Sequence, residues 1–284
     1  MDTVQLVLVT LIVGLVAFLL ISYLQTADFS RRVEGSSKLK KPTFLILGLN
    51  NSGKTALFYQ LKEDAPQNGF EFVNTVSSIE PNISEVNIPF SKSSVSKAYQ
   101  LIDYPGHLKY SQLLTKLILK DVTLQNIKGI LYVIDSSSNS INQQNQVKQI
   151  SRFLFSLFSQ TEKLMNGVDF LFAINKQDLF DSIPVFKIKQ LIEEEITKLV
   201  KDELSGVNSH SSGIDKDEDY EEAENEDKMA NYDNLREFWL PIIGNVNNSF
   251  KFEMLEGDVT FIGGSVLKNN MEPWKNWFDE KVVN

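Results

Sequence analysis

Gly48-Leu-Asn-Asn-Ser-Gly53-Lys54-Thr55 lies between an apolar run, Thr43–Leu47, and a segment, Lys54–Lys62, that reads as a helix. The string fits G-x-x-x-x-G-K-[ST], and the strand before it and helix after it are the context that pattern requires. Its glycines let the backbone wrap a phosphate chain, held by backbone N–H groups and the positive end of the helix. Lys54 is placed to reach the outer phosphates and Thr55 to ligate Mg2+. Gly48, Asn50, Asn51, Ser52, Gly53, Lys54, Thr55 and Ala56 are the residues this loop offers to a nucleotide. The loop alone does not choose between ATP and GTP.

The flanking sequence alternates strands and helices. Val86–Pro89 and Tyr99–Asp103 read as strands, and Ile127–Ile134 and Asp169–Ile174 are continuous apolar runs typical of strands buried on both faces. Val259–Ile262 is a sixth strand. Ile141–Ser159 and Lys187–Val200 carry apolar residues at helical spacing, and Trp274–Val282 reads as a terminal helix. This order predicts an α/β fold, a P-loop NTPase with a mainly parallel six-stranded sheet and helices on both faces. Ligands of such sheets bind at the carboxyl ends of the strands.

Two further strings fall at that edge. Asn175-Lys176-Gln177-Asp178 follows the strand ending at Ile174. A carboxylate at Asp178 can accept from the N1–H and 2-amino group of guanine, whereas adenine offers no such donor pair. Asn175 would brace the loop and Lys176 would pack over the base, so the chain selects GTP. Asp103-Tyr-Pro-Gly106-His107 follows the strand that ends the Tyr99–Asp103 run. Asp103 would hold Mg2+ through water and the Gly106 N–H would sense the γ-phosphate.

Outside these motifs the composition divides the chain. Val4 to Leu24 has no charged residue over 21 positions, enough to cross about 30 Å of hydrocarbon as a helix. A cleaved signal peptide would need a basic start, a shorter apolar core and a small-residue cleavage site. Arg31, Arg32, Lys38, Lys40 and Lys41 follow the run, which predicts a single-pass anchor with a cytosolic body. The expected organisation is an anchor at 1–25, a basic linker at 26–41 and a nucleotide-binding domain at 42–284. That domain is interrupted at about 205–234 by an acidic insertion, poor in apolar residues, that is expected to be disordered. Lys201 to Asn234 holds 12 acidic and 3 basic residues, which is the whole net charge of −9. The remaining chain is neutral, and the acidic arm is expected beside the guanine-pocket end of the fold. The acidic total argues against direct nucleic-acid binding. The absence of Cys excludes a disulfide framework, a Cys-ligated zinc site and a cysteine nucleophile. His210, alone in the acidic stretch, makes no metal site. Asn50, Asn82 and Asn247 begin N-x-[ST] strings that read as chance matches, since they would face the cytosol.

GLNNSGKT, DYPGH and NKQD, in this order and spacing, resemble the small Ras-like GTPases, closer to the Arf and Sar branch. With the uncharged N-terminal anchor, the chain is similar to the beta subunits of the signal recognition particle receptor. Thr75-Val-Ser-Ser-Ile-Glu-Pro81 and Phe250-Lys-Phe-Glu-Met-Leu support that likeness. The resemblance implies a GTP-binding subunit in the endoplasmic reticulum membrane. It would grip the N-terminal domain of the receptor alpha subunit in its GTP form, and so serve ribosomes carrying signal recognition particle. It implies that Thr75 closes on Mg2+ and the γ-phosphate, with Ser77 or Ser78 as alternatives. It also places Gly264-Ser265-Val266 at the last guanine loop, where the Val266 N–H would meet the guanine oxygen and Ser265 would line the site.

Ras-like enzymes place a Gln after the DxxG glycine, and this chain has His107. A neutral imidazole can accept a hydrogen bond or a proton, so His107 is the candidate catalytic residue; the alternative is a contact residue in a slow enzyme. Asn50 replaces the glycine common at that loop position, and after the linker only Arg152 and Arg236 supply guanidinium groups. Weak intrinsic hydrolysis is expected. Two other functions fit the motifs: an Arf-like trafficking enzyme on a transmembrane stalk, and a scaffold that keeps GTP without switching. An ATPase is more distant.

Overall fold

A computed structural model describes residues 41–62, 75, 78–91, 96–107, 114, 117, 126–142, 144–162, 167–204, 238–244 and 248–283. The anchor, the linker before Lys41, Ser77 and the acidic insertion lie outside the described residues. Among the described residues no helix is long and apolar enough to cross a membrane.

The strands are β1 (Thr43–Leu47), β2 (Asn82–Ile88), β3 (Lys97–Asp103), β4 (Ile127–Asp135), β5 (Phe170–Asn175) and β6 (Val259–Gly263). The helices are α1 (Lys54–Lys62), α2 (Ser138–Asn142), α3 (Gln144–Thr161), α4 (Val185–Leu204) and α5 (Glu272–Val283). The sheet order is β2-β3-β1-β4-β5-β6. Only β2 runs antiparallel, against β3. The expected six-stranded, mainly parallel architecture is the one observed.

Side chains alternate across the sheet, so each central strand feeds two cores. Leu45, Leu47, Tyr132, Ile134, Phe170 and Phe172 meet α3 and α4 through Leu154, Phe158, Ile192 and Ile196. Phe44, Ile46, Leu131, Val133, Leu171 and Ala173 meet α1 and α5 through Leu57, Phe58, Trp274 and Phe278. This double burial is why β1, β4 and β5 are apolar at nearly every position. Each fully buried Leu, Ile or Phe contributes about 1.5–3 kcal/mol.

β2 starts at Asn82, four residues before the expected start at Val86. Asn82–Glu85 is polar apart from Ile83, because an edge strand can pair through its backbone with little apolar burial. The Ile141–Ser159 periodicity is divided between α2 and α3.

The acidic arm, expected beside the guanine-pocket end, lies outside the described residues, but α4 before it is described. Val185 begins the helix at the carboxyl edge of the sheet, 3.1 Å from where a Cβ on Gly263 would stand. From there the helix runs away from that edge for 20 residues to Leu204. The described residues before the acidic insertion therefore end at the edge opposite the guanine pocket.

Candidate functional site

The phosphate loop turns directly out of β1 into α1. Gly48 and Gly53 have φ of 140° and 97°, a region side chains rarely adopt. A Cβ at Gly48 would stand 2.3 Å from the Val133 carbonyl, and one at Gly53 2.3 Å from Asn175 Nδ2. Asn50 and Asn51 are exposed on the loop, and Ser52 is buried behind it. Lys54 is buried, and its Nζ donates to the Leu49 carbonyl at 2.7 Å. Burial pulls its ammonium down to about 8, against the attraction of Asp103, which favours the charged form.

Oxygen atoms converge beside Lys54. Thr55 Oγ1 donates to Asp103 Oδ2 at 2.8 Å and lies 3.3 Å from Ser78 Oγ. Asn82 Nδ2 donates to Ser78 Oγ at 3.0 Å and to Asp103 Oδ2 at 3.0 Å. Asn82 reaches Asp103 because the antiparallel register sets the two opposite each other. Asp103 is fully buried and its Oδ1 has no hydrogen-bond partner among the described residues. Burial raises its pKa, and hydrogen bonds from Asn82 and Thr55 and the charge of Lys54 oppose that rise. A buried carboxylate oxygen without a partner calls for a cation or water. Together with the Thr55 and Ser78 hydroxyls it makes an all-oxygen set that suits Mg2+. Thr75 and Ser78 both line this cleft, with Asn50, Asn51, Gly53, Lys54, Thr55 and Gly106. Gly106 packs so closely that a Cβ there would stand 2.6 Å from both the Gly48 carbonyl and Lys54 Nζ. His107 is exposed and sits at an apolar cavity with Leu47, Leu114, Tyr132 and Phe153.

A second cleft of ≈ 480 Å³ adjoins the loop, lined by Gly53, Ala56, Asn175, Lys176, Asp178, Leu179, Val266 and Leu267. Asn175 is the keystone between loops. Its Nδ2 donates to the Ser52 carbonyl at 2.8 Å, and its Oδ1 accepts from the Val266 N–H at 3.0 Å. The Val266 N–H, expected at the guanine oxygen, is thus committed to Asn175. Ser265 is buried, and its Oγ accepts from the Lys268 N–H at 3.2 Å. Gln177 ties the same turn to the end of β6, its N–H donating to the Gly264 carbonyl at 3.1 Å. Asp178 is exposed, and among the described residues its carboxylate has no hydrogen-bond or ion-pair partner.

Lys176 has φ 64° and pairs with Asp135 at the end of β4. Burial would raise the Asp135 carboxyl, but hydrogen bonds from Lys176 and Ser137 and the Lys176 charge outweigh it and hold the group below its usual range. Sequence reasoning missed Asp135 and Asn82. Asp135 carried a signal, being a carboxylate at the carboxyl end of a buried strand. Asn82 carried none that local pattern could detect, since its contact depends on strand register.

The chain resembles known proteins over most of its length. A match to the family described as "Signal recognition particle receptor beta subunit" covers residues 39–259. The signal recognition particle receptor subunit beta of Saccharomyces cerevisiae is 31% identical over 246 residues, 86% of each chain. A chain in the structure of the mammalian SRP receptor superposes with TM-score 0.59 and 22% identity, covering 84% of this chain and 99% of that one. A chain of the SRb-GTP/SRX complex from Chaetomium thermophilum superposes with TM-score 0.58 and 20% identity, covering 85% and 98%. These superpositions share the Ras/Arf-like fold, and by the family match and the yeast relative the chain belongs to the signal recognition particle receptor beta subunit family.

Proposed function

We propose that this chain is the GTP-binding subunit that docks the receptor alpha subunit at the endoplasmic reticulum membrane. Residues 1–25 anchor it, 26–41 link the anchor, and 42–284 form a cytosolic GTPase domain with an insertion at about 205–234. The observation that carries this reading is a pair of complementary ends on one phosphate loop. At one end stand the Thr55, Asp103 and Ser78 oxygens, and at the other the exposed Asp178 carboxylate, which has no partner among the described residues. The yeast relative, and the complex of the Chaetomium protein with GTP and SRX, support the same nucleotide and an alpha-subunit partner.

In this reading Thr55 and Asp103 hold Mg2+, whose charge offsets that of the phosphates. A switch hydroxyl completes the set. Thr75 is the resemblance-based choice, and Ser78 is the hydroxyl already beside Thr55. Lys54 supplies an ammonium to the outer phosphates, Gly106 reads the last of them through its N–H, and Asn175 keeps the base loop in register with the phosphate loop. A surface made of the ordered switches forms only with triphosphate, so a partner that binds it prefers the GTP form. His107 in place of Gln makes intrinsic hydrolysis weak. Ribosomes and signal recognition particle are reached through the alpha subunit.

Full-length protein in detergent tests this directly. GTP and GDP should displace a fluorescent guanine nucleotide while ATP does not. The alpha-subunit N-terminal domain should be captured by the GTP form, and Thr55→Asn should abolish that capture. Displacement by ATP at equal concentration, or equal capture by GDP and GTP forms, overturns the proposal. Unassisted turnover above about 1 s⁻¹ overturns the weak-hydrolysis part, since slow GTPases run orders of magnitude lower.

A further inference from the structure

Lys176 and Asp178 line one cleft, two residues apart in the same turn. An ammonium and a carboxylate so placed attract each other, and a Lys176–Asp178 pair would occupy the acceptor that guanine needs. The structure shows a different pairing. Lys176 Nζ donates to Asp135 Oδ2 at 2.5 Å, and Asp178 has no hydrogen-bond or ion-pair partner among the described residues. Parallel pairing of β4 and β5 sets Asp135 opposite Asn175, the residue before Lys176. The carboxylate is fixed from its other side as well. Oδ1 accepts from the Ser137 N–H at 2.9 Å and Oδ2 from the Ser140 hydroxyl at 2.9 Å. The Asp135 side chain is 11% exposed, whereas Asp178 is open to solvent. A charge pair is less screened at the sheltered carboxylate, so Lys176 stays with Asp135.

We propose that Asp135 is a specificity-determining positioning residue: by holding the Lys176 ammonium it keeps the Asp178 carboxylate open to the paired N–H donors of guanine. The Lys176 side chain is then fixed before the base arrives, which lowers the ordering cost of binding. This inference rests on the guanine-nucleotide reading above and names the residue that protects its selectivity.

The test compares GTP with inosine triphosphate, which lacks the 2-amino group, on full-length protein. Asp135→Asn keeps an oxygen for the Ser137 N–H but drops the charge. The GTP-over-inosine preference should fall by ~10-fold or more, the size of one charge-assisted hydrogen bond. Adding Lys176→Met removes the competing ammonium and should restore the preference to within ~3-fold of wild type, whereas a merely structural defect at Asp135 would not be rescued. Lys176 lines the cleft, so Lys176→Met alone should weaken GTP and inosine triphosphate by a similar factor; the ratio between them gives a reading even if Asp135→Asn folds poorly. An unchanged preference in Asp135→Asn, a fall that Lys176→Met does not reverse, or collapse of that ratio in Lys176→Met alone overturns the inference. Wild-type protein that fails to prefer GTP over ATP overturns the guanine reading instead.

Discussion

Asn175 offers the sharpest test of how the site is built. It is 3% exposed, and its amide joins the phosphate loop at Ser52 to the last loop at Val266. Asn175→Ala removes both bonds and leaves a buried carbonyl and a buried N–H without those partners. Each such group costs about 1–3 kcal/mol, and water entering the space left by the amide recovers part of that. The expected destabilisation is about 2–4 kcal/mol, well inside a total stability of about 5–15 kcal/mol. The variant should stay folded. The two loops that lose their link flank the nucleotide cleft, so the same energy appears in binding, as a loss of at least ~30-fold in GTP affinity. Asn175→Asp discriminates further. One carboxylate oxygen can still accept from Val266 N–H, but the other faces the Ser52 carbonyl, where a donor is needed. Burial and that facing acceptor both push the new carboxyl above its unfolded pKa of about 3.9. The charged form is the misfit, so the defect is full above the raised pKa and shrinks as pH falls through it, when the acid can donate to Ser52. Urea unfolding between pH 5 and 8, with nucleotide competition at each pH, measures both effects. Asn175→Ala within about 0.5 kcal/mol and ~3-fold of wild type would refute the keystone role. A pH-independent offset for Asn175→Asp would refute the hydrogen-bond assignment.

Three further outcomes are expected. Lys54, lowered to about 8 by burial, must be charged to hold phosphate, so GTP affinity should be level below pH 8 and fall as pH rises through it, approaching tenfold per unit. Nucleotide-free stability should move the other way, rising between about pH 8 and 10.5, because there the unfolded chain binds more protons; calorimetric titration that shows affinity level to pH 9.5 contradicts the first. Asp178→Asn should weaken GTP by ~10-fold or more while improving xanthosine triphosphate, whose 2-carbonyl accepts from the new amide; unchanged base preference in competition binding contradicts it. Deleting residues 205–234 should leave GTP affinity within ~3-fold, measured by the same competition; loss of binding would show that the segment supports the cleft.

Parts of this site were legible because local sequence and local structure coincide there. Thr43–Leu47 and Lys54–Lys62 form a strand and helix over the expected residues, because an apolar run and a glycine-rich turn bound them closely. The NKQD string was interpretable because β5 is so apolar that its carboxyl end is visible. What escaped depends on contacts between distant residues. Asn82 touches Asp103 only through the β2–β3 register, and a polar edge strand gives no periodicity to fix that register. Asp135 and Lys176 are 41 residues apart and meet because β4 and β5 are parallel neighbours. The second partner of Asn175 escaped for a related reason: its buried Oδ1 needs a donor, and the distant Val266 N–H supplies it.

The sheet also separates two electrical regions that the total charge merges. Parallel strands carry the cleft at their carboxyl ends, whereas the chain enters β1 at Thr43, on the opposite edge. α4 begins near the cleft at Val185 and covers about 30 Å of rise before Leu204. The described residues that precede the acidic stretch therefore end on the same edge as those that follow the proposed anchor. About 30 Å is several Debye lengths at physiological salt, where screening acts over about 8 Å. A charge held at the Leu204 end of α4 is therefore screened from Lys54 and Asp178. The charges that stand at the proposed GTP site are those of Lys54, Asp103, Lys176 and Asp178. Whatever the acidic segment does, the described residues before it end on the edge where the chain enters β1.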